Sequence, residues 1–573
     1  MAHSEIQYPI ISDATRNNWR RLHTAAAGKL TSRANKLLST KVILPVEYFS
    51  NKDNILVIQQ FISFCLENTL SVENMLFSVG ISLLKRAGLI KKPHVQKLVK
   101  ELSASNISPI PEVENYPLPE DEFDLLGLIY QCFMLEGEKN RKGSYYTPRE
   151  VAANMTANID FSEGQKFFDP CCGSGAFMLS LEGASAEQVF ACDNDPMAVM
   201  MAKINLLLKF PDEVFEPQVV CCDFLNGQLS GDWPQTFDYI VSNPPWGAVI
   251  FDKSGNPITT RESFSYFFER AFGRLEAGGT IRFLLPESVL NVKNHRNFRK
   301  FLLENTDIQS ITKYPGSFSG VQTKYIDIQC GRVEKSSSDG NIQLFTFDQD
   351  CPTTALSVSK QCFCLTNNLN FNLLSDEDYH RVRNILKKGK YSLKESIWAL
   401  GVITGDNKNK VKTKRSRGME PIYTGKEIEA YTLKKPSRFI RYERAEFQQV
   451  AKDEIYRADE KLVYKFISKN LVFAYDDSQS LFLNSANILI PSIPGMSIKA
   501  VLAFLNSQLF KYLYKSLFGE IKILKGNLME LPFPEISPEI NENLTELVDK
   551  VLKGDKNAVK AIDDVVNTVF GNC

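Results

Sequence analysis

The amino-acid sequence predicts an α/β protein with a mostly parallel sheet at its centre. Two observations carry this. Between residues 121 and 350, short apolar runs alternate with segments of helical periodicity, the pattern of a parallel sheet covered on both faces. Polar and acidic residues recur where the apolar runs stop, and open α/β sheets bind ligands at the C-terminal ends of their strands. The 573 residues leave room for several domains at roughly 150 residues each.

The elements follow in order. Residues 1–120 read as a helical N-terminal domain, with apolar residues at helix spacing over 55–62 and 72–84. Residues 106–120 are rich in Pro, Ser and acids and form a linker. The second domain, 121–350, opens with a helix over 123–135 and the turn 143–148, where Pro148 suits the first turn of a helix over 149–159. Strands are expected at 167–169, 188–192, 219–222, 237–242 and 280–285, with helices at 197–210, 264–275 and 295–304. Strands at 308–313, 325–333 and 342–347 close the domain, and the short connection between the last two predicts an antiparallel edge pair. Residues 370–535 are basic and irregular, and 536–573 are helical.

Composition narrows the function. Net charge is +0, from 67 basic and 67 acidic residues. Residues 381–469 nevertheless hold about twelve more Lys and Arg than Asp and Glu, a local excess that marks a polyanion surface. No apolar run approaches the roughly 18 residues of a membrane helix, and the start MAHSEIQYP lacks a signal-peptide pattern. The 12 cysteines are scattered, so a reduced, cytoplasmic protein is expected. Cys351, Cys362 and Cys364 lack a C-x2-C pair and a nearby His, and no metal site is expected. The neighbours Cys171-Cys172 and Cys221-Cys222 read as small core residues.

The chemistry concentrates at strand ends. Asn243-Pro244-Pro245-Trp246 closes the run 237–242. Proline lacks an N–H and fixes φ, so the pair stops sheet pairing and freezes the backbone. The Asn243 amide, the Pro244 carbonyl and the Trp246 ring then form a fixed cluster suited to a flat substrate with an amino group. The plain structural alternative is a strand stop with a buried Trp. Upstream, Asp169 ends a strand before Pro170-Cys171-Cys172-Gly173-Ser174-Gly175-Ala176-Phe177. Gly173 and Gly175 allow close backbone approach, no basic residue follows, and a triphosphate loop is disfavoured. Asp169 itself favours a cationic group. Asp193 ends the second strand, where nucleotide-binding sheets place an acid for the ribose hydroxyls. Asp195 is the near alternative and also suits the cap of the helix that follows. Asp223 ends the third strand, can accept from an exocyclic amine, and precedes Phe224, which could cover a ring.

The ordered set Tyr146-Thr147-Pro148, Asp169 to Phe177, Asp193, Asp223 and Asn243 to Trp246 resembles the S-adenosylmethionine-dependent DNA adenine methyltransferases. Its order is similar to the γ class, which includes type I modification subunits and TaqI-like enzymes. Further segments, around Gly401–Lys408, Tyr423–Ile428, Leu502–Leu509 and Leu531–Pro534, resemble the TaqI-like C-terminal specificity domain. The resemblance implies a Rossmann-like methyltransferase sheet, with an α+β target-recognition domain over 370–535. It implies that the loop at Gly173 and Gly175 approaches the methionine part of the cofactor, with Asp169 on its ammonium. Asp193 would take the ribose, Asp223 the adenine amine, and Thr147 the methionine end, with Tyr146, Pro148, Cys171 and Phe224 nearby. Asn243 and Pro244 would accept the hydrogens of adenine N6, and Trp246 would stack on the flipped base. A second aromatic is expected from a later loop, and Phe318 is the best match.

The implied partner is double-stranded DNA, with a separate restriction endonuclease as a further possible partner. Lys408, Lys410, Arg415, Arg417, Lys426 and Lys465 are candidates for phosphate or base contacts. No acidic Pro-Asp…Glu-x-Lys array stands out before Tyr145, which predicts modification without cleavage. The alternatives are an RNA or protein-glutamine methyltransferase and a DNA-binding subunit with a dead site.

Overall fold

The computed structural model describes residues 48–104, 107–134, 146–162, 164–229, 231–247, 250–251, 257–258, 262–317, 324–332, 340–348, 351–519 and 522–571. The chain divides into two compact units, and the described residues up to Ser357 belong to the first.

The first unit is built on a nine-stranded sheet. Its strands are β1 (Phe167–Asp169), β2 (Val189–Asp193), β3 (Gln218–Cys221) and β4 (Phe237–Ser242). After a separate two-stranded piece, β5 (Ile250–Phe251) and β6 (Pro257–Ile258), come β7 (Leu275–Pro286), β8 (Thr306–Ser317), β9 (Lys324–Arg332), β10 (Asn341–Asp348) and β11 (Cys351–Ser359). The order across the sheet is β11-β10-β8-β9-β7-β4-β1-β2-β3. β1 lies parallel between β2 and β4, and β4 pairs parallel with β7. All three β1 residues are buried, as expected for a strand covered on both faces.

One expectation is corrected. The strands at 325–333 and 342–347 do not pair with each other: β9 is inserted between β7 and β8 and antiparallel to both, while β10 pairs parallel with β8. The short connection between β9 and β10 had suggested a hairpin, but β9 buries both faces in the slot between β7 and β8, with Tyr325, Ile326, Asp327, Ile328, Cys330 and Gly331 buried. The cysteine reading is also corrected in part. Cys172 is buried, but Cys221 is exposed because β3 is an edge strand.

Helices Ile55–Glu67, Val72–Arg86, Pro93–Ser103 and Leu125–Phe133 pack into one apolar cluster. That cluster includes Met200, Met201, Ile204 and Leu207 of helix Pro196–Lys209, which follows β2. The N-terminal helices therefore share a core with the sheet domain. Helix Pro196–Lys209 starts where the chain dictates: Pro196 stands at its first turn, and the Asp195 carboxylate accepts from Met197 N at 3.0 Å.

The second unit includes Val358–Cys573. Strands β12 (Ile397–Leu400), β16 (Lys461–Lys465), β17 (Phe473–Asp476) and β19 (Ala486–Ile490) form an antiparallel sheet in the order β12-β19-β16-β17. A second sheet has the order β13-β15-β14-β18, from β13 (Val411–Lys412), β14 (Glu420–Tyr423), β15 (Arg438–Ile440) and β18 (Leu481–Phe482). Helices Asp376–Lys388, Ile498–Asn506, Gln508–Phe518, Pro538–Leu552 and Asn557–Val569 also belong to it. No described helix is long and apolar enough to cross a membrane.

Candidate active site

Parallel pairing aligns the C-terminal ends of β1, β2, β3, β4 and β7 on one edge, and the expected residues gather there. β1 ends in Asp169, which is fully buried. Its Oδ1 accepts from Ser242 Oγ at 2.7 Å and from Cys171 N at 3.1 Å. Its Oδ2 is buried with no hydrogen-bond partner among the described residues. Burial pushes the carboxyl up to about 7, and the nearby Asp193 charge adds to the effect. A buried acceptor without a donor costs about 1–3 kcal/mol, so this oxygen suits a ligand that brings a positive charge or an N–H.

The loop after β1 turns on Gly173, at φ +54, and Gly175, at φ +101. A Cβ on Gly173 would stand 3.1 Å from the Tyr146 ring, so glycine lets the loop lie against that aromatic. The Tyr146 hydroxyl is buried without a hydrogen-bond partner among the described residues, a second unsatisfied polar atom beside the loop. Gly173 N donates to Asp193 Oδ2 at 2.9 Å, and Asp195 N donates to Asp193 Oδ1 at 2.9 Å. Asp193 is thus fixed facing the glycine loop while Asp195 caps its helix. Next along the edge, Asp223 is exposed, accepting from Leu225 N at 2.9 Å and Asn226 Nδ2 at 2.8 Å. Phe224 is only 3% exposed. Its ring packs on Phe168 and Phe267 with the Arg270 guanidinium over it, so most of its surface is spent on the core.

Asn243 leaves β4 directly beside Thr147. Its Nδ2 donates to Thr147 Oγ1 at 3.3 Å, which turns Oδ1 the other way. Thr147 therefore touches the Asn243 side chain, a contact not expected from its assignment to the methionine end. Pro148, buried, caps helix Arg149–Thr156 behind it. Ser263 Oγ donates to the Pro245 carbonyl, which fixes the second proline. Trp246 is half-buried, and its Nε1 donates to Leu284 O on β7 at 3.2 Å. The Trp246 ring lies 6.3 Å from Tyr325, which stacks on Tyr314 at 5.2 Å. Phe318 lies outside the described residues. Its described flanks, Ser317 and Lys324, pair with each other beyond Pro286↔Tyr325, at the same edge as the end of β7.

Several contributors escaped the sequence reading. Ser242 bridges the two halves of the site, with Oγ 3.2 Å from Cys171 Sγ and donating to Asp169. Its place one residue before Asn243 was the available signal. Asp124, Tyr130 and Asn205 also reach the glycine loop and the turn after β2, and helical periodicity alone gives no sign of this.

A doubly wound sheet carrying a glycine loop, an acid at the second strand and Asn-Pro-Pro-Trp at the fourth defines a methyltransferase that modifies amino groups. Residues 121–338 match the N-6 DNA methylase model, and residues 420–533 match the TaqI-like C-terminal specificity domain. The chain thus carries an N-6 DNA methylase domain and a TaqI-like specificity domain, and its catalytic domain is that of an adenine-specific DNA methyltransferase. It is 28% identical over 313 residues to the type II methyltransferase M.VspI of Vibrio sp. (strain 343), covering 52% of this chain and 74% of that protein. It is also 28% identical over 219 residues to the type I restriction enzyme MjaIX methylase subunit of Methanocaldococcus jannaschii, where the match covers 34% of this chain and 38% of the subunit. Among solved structures, the type IIL restriction-modification enzyme MmeI in complex with DNA is similar at TM-score 0.54 and 14% identity, covering 97% of this chain and 96% of that one. That likeness speaks for the fold alone.

Proposed function

We propose that this chain transfers a methyl group from S-adenosylmethionine to N6 of an adenine in duplex DNA, as the modification component of a restriction-modification system. The observation that carries the reading is the contact between the two halves of the site. Ser242 and Asn243 are consecutive at the end of β4, and one holds Asp169 while the other meets Thr147. These contacts support a reading in which donor and acceptor meet at one strand end.

Bound S-adenosylmethionine supplies the electrophile, a methyl group on a sulfonium. The buried, partnerless Asp169 Oδ2 fits its ammonium, Asp193 fits the ribose, and Asp223 the adenine amine. The target amine is a poor nucleophile because its lone pair is delocalised into the ring. Asn243 Oδ1 and the Pro244 carbonyl accept its two hydrogens and draw the nitrogen towards tetrahedral. The work is positioning and preorganised dipoles, with no covalent enzyme intermediate. The target atom sits inside a duplex, so the base is extruded, and Trp246 receives one face of it. For the opposite face the resemblance to the family implies Phe318, which lies outside the described residues.

In the second unit, Lys408, Arg415, Arg417 and Lys426 are exposed and are assigned to DNA, as is half-buried Lys465. Lys410 is tied to the fold, its Nζ donating to the Thr404 and Glu446 carbonyls. A companion endonuclease would act on the same sites.

The test is transfer of labelled methyl to duplex DNA, with RNA and protein as competing acceptors. Asn243→Ala should lower turnover by about a hundred-fold or more, and Trp246→Ala should weaken base capture. Full turnover by Asn243→Ala would sink the mechanism, and labelling of protein or RNA in place of DNA would sink the substrate assignment.

A further inference from the structure

Helix Leu125–Phe133 touches the cofactor loops at two points. At its N-terminus the Asp124 carboxylate caps the helix, accepting from Gly127 N at 2.9 Å. The same carboxylate accepts from Ser174 Oγ in the glycine loop and from Asn205 Nδ2 at 2.9 Å, and Asn205 also donates to Ser174 O at 2.9 Å. The peptide between Gly173 and Gly175 is therefore held from outside the loop. A Cβ on Gly127 would stand 2.2 Å from Asp124 Oδ2 and 2.4 Å from Ser174 Oγ. Glycine is needed there for the loop to come this close. Further along the helix, Tyr130 Oη donates to Asp195 Oδ2 at 2.7 Å, and Asp195 N in turn holds Asp193. The Tyr130 ring also lies 6.3 Å from Tyr146, the aromatic beneath Gly173.

We propose that Asp124, Gly127 and Tyr130 are positioning residues for the methyl donor: this one helix clamps the glycine loop and the Asp193 turn in their cofactor-binding shape. None of the three is assigned to touch the donor. The clamp works through Ser174 and Asp195, setting where the Gly173 backbone and the Asp193 carboxylate stand. Loosening it should cost donor affinity while sparing the second unit's hold on DNA. The inference rests on the S-adenosylmethionine reading of the site.

The experiment titrates the full chain with S-adenosylmethionine by calorimetry and, separately, with duplex DNA. Asp124→Ala should weaken donor binding about ten-fold or more, and Asp124→Asn, which keeps an acceptor for Gly127 and Asn205, should recover most of the loss. Tyr130→Phe, which removes one hydroxyl, and Ser174→Ala, which cuts the loop end of the bond, give smaller losses in proteins that keep the helix cap. In each case KM for the donor should rise while the DNA Kd stays within about two-fold, a split that general destabilisation does not produce. Donor affinity unchanged in Tyr130→Phe and Ser174→Ala, or equal losses for donor and DNA, would overturn the clamp. Wild-type protein that binds no S-adenosylmethionine would instead overturn the cofactor reading, and the clamp with it.

Discussion

At the scale of single residues, Asp169 is the group proposed to set the terms for the donor. One of its oxygens is satisfied by Ser242 and Cys171, and the other is buried without a partner among the described residues. Its carboxyl is pushed up to about 7 by burial, so below that pH it is largely neutral and offers a cation little. Affinity for S-adenosylmethionine should accordingly rise as pH passes upward through about 7 and flatten above it, the direction expected when the bound cation favours the ionised form. Isothermal titration between about pH 6 and about pH 8 measures this. Asp169→Asn should weaken binding at the upper end and remove most of the slope. An unchanged slope in that variant would assign the titration to another group.

At the scale of elements, the end of β4 is held by its neighbours. Trp246 is tied to β7 through Leu284 O, and behind it Tyr325, Tyr314 and Phe347 form an aromatic row, with Tyr314 5.1 Å from Phe347. That row is anchored by a buried ion pair. Arg282 Nε donates to Asp327 Oδ1 at 2.7 Å, and Tyr314 Oη donates to Asp327 Oδ2 at 2.7 Å. Asp327 is fully buried, so Asp327→Ala should cost about 3–5 kcal/mol by leaving the Arg282 charge unpaired. The shift in denaturant midpoint reads this directly. The site was legible in the sequence where chemistry is local: strand, turn and acid are covalent neighbours at Asp169, Asp193 and Asn243. β9 was misjudged because strand order is decided by partners far along the chain. Asp124 passed unnoticed because an acid at a helix start reads as a cap whether or not it also holds a loop.

For the whole molecule, zero net charge conceals a division of labour. Exposed Lys408, Lys412, Lys414, Arg415 and Arg417 cluster in the second unit around β13, whereas the first unit presents acids at its sheet edge. DNA affinity should fall steeply with salt. Replacing Arg415 or Arg417 by Ala should lower the slope of log affinity against log salt by about one for each phosphate no longer neutralised, with methyl-donor binding untouched. Fluorescence anisotropy at several salt concentrations tests this. A slope unchanged by both substitutions would move the phosphate-binding surface elsewhere.

The interior position of β9 also bears on how the chain is made. Strands β1 to β4, whose ends carry the three acids assigned to the donor and the Asn243 turn, pair among themselves within residues 167–242. The slot between β7 and β8 is filled only by residues 324–332. During synthesis, then, the donor half is complete well before the sheet closes. A nascent chain that pauses after residue 317 carries two long strands with unpaired edges, the kind of surface that recruits other strands. Premature termination in this stretch should leave an aggregating fragment, and the strand that joins β7 to β8 is what renders the enzyme safe as well as whole.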